Sequence, residues 1–153
     1  AQILSATGMD ARQLKLEATE SAVLENKDGA TETLNQLKQL GVRLSLDDFG
    51  SGYSSFSYLH QLPYDTLKID RSFVSGLGIS REDPAIVSTS TQLAAQLGLS
   101  VVAEGVETYD QFAELAKLGV DVAQGYLLSP PVPLERAIQL WAQGELITPF
   151  LGE

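Results

Sequence analysis

The 153-residue sequence predicts an α/β fold, a (β/α) barrel of the TIM type that is incomplete here, with about five βα units. Three observations predict it. Short apolar runs alternate with longer helical patterns, as when parallel strands are joined by crossover helices. The strands carry polar residues at alternate positions, as a barrel wall does, and no Gly-x-Gly-x-x-Gly stands at a strand-to-helix turn, which removes the signal of a doubly wound sheet. Each strand also ends in a carboxylate, an ammonium or an amide, and parallel barrels bring their strand ends to one mouth.

In chain order, Ala1 to Met9 reads as a helix end stopped near Gly8. Leu14 to Thr19 alternates apolar and polar residues and reads as the first strand. A turn is expected around Asn26-Lys27-Asp28-Gly29, then a helix over 31–40 with Leu34, Leu37 and Leu40 on one face and Gly41 as its C-cap. Val42 to Leu46 is the second strand. A Gly-rich loop leads to a helical stretch over Ser54 to Leu62, stopped by Pro63. Thr66 to Ile69 is the third strand. A helix over 84–97 is expected to open with Asp83 as N-cap and Pro84 at its first position, and to close before Gly98. Ser100 to Ala103 forms the fourth strand, 109–118 a helix, Val120 to Ala123 the fifth strand and 134–143 the last helix. The tail, about 144–153, reads as irregular. Five strands are too few to close a small barrel, so the chain is expected to be one partial domain, a fragment of a longer protein.

Composition narrows the chemistry. The formal net charge of −10 argues against binding nucleic acid or anionic lipid, though not against a phosphate ligand whose charge is met by metal ions. No apolar run approaches the roughly 18 residues of a membrane span, and no signal-peptide pattern is present, so this segment is expected to be cytoplasmic and to make no membrane contact, with a membrane anchor elsewhere in the parent protein left open. With no Cys and a single His, any metal is expected to be a hard cation held by oxygen.

The strand ends supply those oxygens. The first presents Glu17 and Glu20, the second Asp47 and Asp48, the third Lys68 and Asp70, the fourth Glu104 and Glu107, and the fifth Gln124. Carboxylates gathered this closely repel one another unless cations or raised pKa values accommodate them. Two oxygen-ligated metals about 3.5–4 Å apart clamp the attacking and leaving oxygens of an in-line phosphoryl displacement. Lys68 then stabilises phosphate charge or positions the attacking water. Taken singly, these residues have plainer readings: the Asp47–Asp48 pair as a turn or helix cap, Lys68 paired with Asp48 or Asp70, and Tyr53, Phe56 and Tyr58 as packing. His60 reads as a surface or capping residue. The recurrence at successive strand ends is what sets the group apart.

At these residues the sequence resembles EAL-type cyclic di-GMP phosphodiesterase domains. Leu16-Glu17-Ala18-Thr19-Glu20-Ser21 resembles the family's L-E-(apolar)-T-E-S segment, and Asp47-Asp48-Phe49-Gly50-Ser51-Gly52-Tyr53-Ser54-Ser55 its D-D-F-G-x-G-Y-S-S loop. Leu67-Lys68-Ile69-Asp70, Ala103-Glu104-Gly105-Val106-Glu107-Thr108 and Gln124-Gly125-Tyr126 match L-K-I-D, A-E-G-V-E-T and Q-G-Y. The resemblance implies hydrolysis of cyclic di-GMP to linear pGpG at a two-metal site holding Mg²⁺ or Mn²⁺, with Ca²⁺ as an inhibitory ion. Glu17, Asp47, Asp48 and Glu104 are implied as metal ligands, with Asp47 bridging. Lys68, Glu104 and Asp47 are the implied catalytic set, with Lys68 beside the attacking water. Glu20 is implied to anchor the Asp47–Ser55 loop, and Asp70, Glu107 and Gln124 to line the pocket. A homodimer and fusion to sensory or GGDEF-type domains are implied as well.

There are departures from the pattern. The namesake Glu-Ala-Leu segment, the Arg after it and an Asn-bearing strand are absent, and Gln2 to Thr7 holds no carboxylate, Asn or Arg in their place. Pro130 stands where many members carry Arg or Lys. This stretch alone is therefore expected to bind metal weakly and to turn over little substrate. A noncatalytic cyclic di-GMP receptor and a dimerising signalling module are the alternative readings.

Overall fold

The computed structural model of the chain describes residues 1–25, 27–50, 59–80 and 82–143. Five parallel strands form one sheet in sequence order: β1 (Lys15–Thr19), β2 (Arg43–Phe49), β3 (Thr66–Ile69), β4 (Ser100–Ala103) and β5 (Val122–Ala123). The helices among the described residues are α1 (Gln2–Thr7), α2 (Glu20–Glu25), α3 (Lys27–Gln39), α4 (Arg71–Ser75), α5 (Asp83–Leu97), α6 (Tyr109–Lys117) and α7 (Leu134–Ala142). No helix among the described residues is long and apolar enough to cross a membrane.

Strand alternation divides the sheet into two faces. Leu44, Leu46, Leu67, Ile69, Val101 and Ala103 are buried in the hydrophobic core. Between them Ser45, Asp47, Thr66 and Lys68 occupy the opposite face, where Lys15 Nζ on β1 reaches across to Thr66 Oγ1 at 3.1 Å. The register runs Glu17 opposite Ser45, Ser45 opposite Thr66 and Thr66 opposite Ser100.

β3 and β4 stand where the pattern predicts them. β2 continues beyond Leu46 through the two aspartates to Phe49, because a strand end carrying acids reads in sequence as a loop. Between β2 and β3 the register shifts: Leu46 faces Leu67, but Phe49 faces Ile69, so β2 holds one extra residue. Asp48, at φ 56°, is the non-glycine residue that takes the left-handed region there. The turn expected at 26–29 is instead helical from Lys27, since the first turn of a helix leaves its N–H groups unbonded and tolerates Asp and Gly. Leu34 is buried, but Leu40 lies past the helix end and is 43% exposed.

Asp83 does not cap α5. Ser80 Oγ accepts from the N–H groups of Glu82 and Asp83, while the Asp83 carboxylate packs where a side chain on Gly76 would stand. Thr108 and Gln111 close a reciprocal capping box on α6. Of the helical stretch expected over Ser54 to Leu62, residues 54–58 lie outside the described residues, as does the tail expected at 144–153.

Candidate active site

Three strands aim one carboxylate each at the same atom. Lys68 Nζ lies 2.7 Å from Glu17 Oε2, 2.9 Å from Asp47 Oδ1 and 2.7 Å from Glu104 Oε1. Glu17 is in β1, Asp47 in β2 and Glu104 directly after β4, so the ammonium on β3 is central to them. Lys68 is 5% exposed. Burial works against its charged form, but the adjacent carboxylates of Glu104, Glu17 and Asp47 outweigh burial and hold the ammonium well above its ordinary range. Glu17 Oε2 accepts a hydrogen bond from the ammonium, whereas Asp47 Oδ1 and Glu104 Oε1 approach as ion pairs, and the buried Asp47 oxygen keeps unused bonding capacity. Lys68 therefore pairs with neither Asp48 nor Asp70.

The extra residue in β2 accounts for the double aspartate. In a regular strand consecutive side chains point to opposite faces. Here Asp47 meets Lys68, and Asp48 lines the adjoining cleft. That cleft, of about 540 Å³, is walled by Asp48, Asp70, Arg71, Glu104, Gly105, Glu107, Gln124, Gly125 and Tyr126. The structure thus brings Asp48, Asp70, Glu104, Glu107 and Gln124 to one cavity, with Glu17, Asp47 and Lys68 beside it. Glu17 also borders an apolar groove of about 570 Å³ between β1 and helices α2 and α3, which carries no comparable cluster of charged groups.

Asp70 has a second task. It caps α4 by accepting from the Ser72 N–H at 3.0 Å and from the Ser72 hydroxyl. The Ser72 hydroxyl chiefly, with the Ser72 N–H, holds its carboxyl below the ordinary range against the opposing effect of burial. Glu20 is buried at the start of α2. From Ser51 onward, the loop it is expected to anchor lies outside the described residues.

Arg71 and Tyr126 line the cleft without having been singled out from sequence. The available signal was position, immediately after Leu67-Lys68-Ile69-Asp70 and within Gln124-Gly125-Tyr126. The stem of Arg71 is fixed against Gly105, at φ 71°, where an added Cβ would stand 2.5 Å from the Arg71 Cβ. Its guanidinium makes no hydrogen bond or ion pair with a described residue. Gly125 permits an even closer approach, since a Cβ there would stand 2.1 Å from the Val106 carbonyl oxygen.

As they stand, no three acidic or imidazole side chains among the described residues enclose a free point that could hold a metal ion. What Glu17, Asp47 and Glu104 enclose is an ammonium. In kind they fit a hard cation: all are carboxylates, and the buried Asp47 Oδ1 has capacity to spare.

Residues 1–131 match the model of the EAL domain family. The chain belongs to that family. Cyclic di-GMP phosphodiesterase NbdA of Pseudomonas aeruginosa is 47% identical over 131 residues, 86% of this chain and 17% of NbdA. MucR of the same organism, a bifunctional diguanylate cyclase/cyclic di-GMP phosphodiesterase, is 45% identical over 130 residues, 85% of this chain and 19% of MucR. The solved MucR phosphodiesterase in complex with c-di-GMP superposes with a TM-score of 0.86 at 43% identity, covering 89% of this chain and 55% of that one. The manganese and cyclic di-GMP complex of Klebsiella pneumoniae BlrP1 gives 0.80 at 37% identity, over 85% of this chain and 33% of BlrP1. The EAL chain thus spans under one fifth of the length of these curated relatives. Its five parallel βα units match part of the TIM-type barrel of EAL domains.

Proposed function

We propose that this EAL segment provides most of the metal-ligating and hydrolytic residues of a cyclic di-GMP phosphodiesterase, which opens the cyclic dinucleotide to linear pGpG. The observation that carries the reading is the convergence of Glu17, Asp47 and Glu104 on Lys68 beside the acidic cleft. The named relatives, their cyclic di-GMP complexes and the manganese of BlrP1 support it.

Glu17, Asp47, Asp48 and Glu104 would hold Mg²⁺ or Mn²⁺. When bound, such an ion supplies positive charge to the phosphate and a potent nucleophile at neutral pH. The protein groups do the rest. Lys68 donates a hydrogen bond to Glu17, ion-pairs with Asp47 and Glu104, and keeps a fixed positive charge beside the cleft that would steady a phosphate or an attacking water. Arg71 presents unengaged donors to the cleft, suited to a phosphate or to the O6/N7 edge of guanine. Asp70, Glu107 and Gln124 present acceptors, and Gln124 a donor, along the same wall. On the same reading the working unit is a homodimer, which sedimentation over a concentration series tests.

The test of the reading is calorimetry of the purified chain with cyclic di-GMP, with and without Mn²⁺. The expected result is binding that requires Mn²⁺ and is competed by pGpG. Binding that ignores the metal, or its absence in both conditions, would overturn the reading.

A further inference from the structure

We propose that Lys68 is a built-in counter-cation for the metal site: its ammonium holds Glu17, Asp47 and Glu104 together in the metal-free domain and must yield part of that contact when a divalent ion enters. The proposal rests on the reading of these carboxylates as metal ligands.

Three like charges from three strands, each within 2.9 Å of one nitrogen, repel one another whenever that nitrogen is absent. The ammonium meets all three carboxylates, hydrogen-bonded to Glu17 and ion-paired with Asp47 and Glu104. Lys68 cannot exchange these partners for water without leaving the sheet, because it is 5% exposed and its stem rises from the middle of β3. The domain can therefore assemble its acidic mouth before any metal arrives.

The same contacts set a threshold for loading. An entering cation competes with a positive charge already in place and is repelled by it. Asp47 offers the entry point: its Oδ1 is buried, meets Lys68 as an ion pair and has no hydrogen-bond partner among the described residues, whereas Glu17 Oε2 accepts a hydrogen bond from the ammonium. A metal approaching from the cleft meets Asp48 and Glu104 at its wall. Lys68 thereby acts on metal affinity, besides any role it has toward the attacking water.

The experiment compares the full 153-residue chain with its Lys68→Met variant, titrated with Mn²⁺ and followed by the loss of the free-ion EPR signal, alongside thermal melts. The expected result is a metal-free variant that melts lower than wild type, binds Mn²⁺ at least about tenfold more tightly and recovers its melting temperature as Mn²⁺ is added. A variant that folds only with Mn²⁺ present supports the same conclusion. Equal or weaker Mn²⁺ binding by the variant overturns the counter-cation role while leaving the metal site standing. Failure of the wild-type chain to bind Mn²⁺ overturns both. If Lys68→Met does not fold in either condition, ¹⁵N spectra of the wild-type lysine NH₃⁺ groups decide the matter. The Lys68 signal is expected to shift when Mg²⁺ binds, and an unmoved signal under Mg²⁺ shown to be bound would overturn the proposal.

Discussion

Replacing Gly125 by Ala sets a methyl group against main chain. The new Cβ would stand 2.1 Å from the Val106 oxygen, 2.3 Å from its nitrogen and 2.7 Å from its carbonyl carbon. None of these atoms can swing aside as a side-chain tip would. Relief requires the two segments to part. The parting strains the hydrogen bonds from the Val106 N–H to the Gln124 oxygen at 3.1 Å and from the Leu127 N–H to the Val106 oxygen at 3.0 Å. Two such bonds contribute about 1 kcal/mol each, and overpacking adds about 1–3 kcal/mol, so the substitution is expected to cost roughly 3–5 kcal/mol. For a domain of this size that lowers the melting temperature by roughly 10 °C. Gly119→Ala is the control, since nothing stands within 4 Å of its added Cβ and only its φ of 82° opposes the methyl group. That control is expected to cost about 1–2 kcal/mol. A Gly125→Ala variant melting within about 2 °C of wild type would refute the close approach and, with it, the account of how Gln124 and Tyr126 reach the cleft.

Three further outcomes are expected. Asp47→Asn removes one of the three charges that Lys68 and an incoming metal share, so calorimetry should show Mn²⁺ affinity reduced by about tenfold or more; heats equal to wild type would sink its assignment as a ligand. Arg71→Ala should weaken Mn²⁺-dependent cyclic di-GMP binding by roughly 10–100-fold while leaving Mn²⁺ binding alone unchanged, and unaltered cyclic di-GMP affinity would remove Arg71 from the ligand site. Asp65 accepts from the Leu44 N–H at 2.8 Å and from Lys38; burial opposes its charge, but these bonds prevail and its carboxyl lies below the ordinary range. A lowered folded-state pKa stabilises fully above the unfolded value of about 3.9 and is lost as pH falls through the folded value. Wild type should therefore out-melt Asp65→Asn at neutral pH, with the gap closing below about pH 4; a gap that persists at low pH would contradict the ion pair.

Which parts of this were legible in sequence follows from how local each signal is. Thr66–Ile69 and Ser100–Ala103 were readable because apolar runs bounded by turn residues carry their own limits. The end of β2 was not, since Asp47 and Asp48 look like loop residues until the neighbouring strand shows that the ladder continues to Phe49. The shift that brings both aspartates to the site is a relation between two strands and has no trace in either alone. For Lys68 the sequence offered Asp48 and Asp70 as partners. The actual partners lie 51, 21 and 36 positions away, and Asp70 is engaged by Ser72. The mouth itself was legible because its evidence is a recurrence at strand ends, which survives ignorance of the contacts. Arg71 escaped because a single cation after a motif has no periodicity to mark it.

Strand alternation also explains how an acidic site persists in so small a sheet. On β3, Leu67 and Ile69 are 0% and 1% exposed against the core, while Thr66 and Lys68 turn to the other face. β4 repeats the arrangement with Val101 and Ala103 in the core, and Glu104 follows at its end. Stabilisation and chemistry thus come from adjacent residues of the same strands. Each fully buried aliphatic side chain contributes roughly 1.5–3 kcal/mol, whereas the three carboxylates around Lys68 repel one another and share a single positive charge. Substitutions on the helix-covered face should accordingly lower stability in steps of a few kcal/mol with the site's affinities intact. Substitutions of Glu17, Asp47 or Glu104 should do the reverse, weakening metal binding while leaving the metal-free domain as stable or more so. Lys68 is an exception, because its removal acts on both sides of that division, as does that of Asp70, which both caps α4 and lines the cleft.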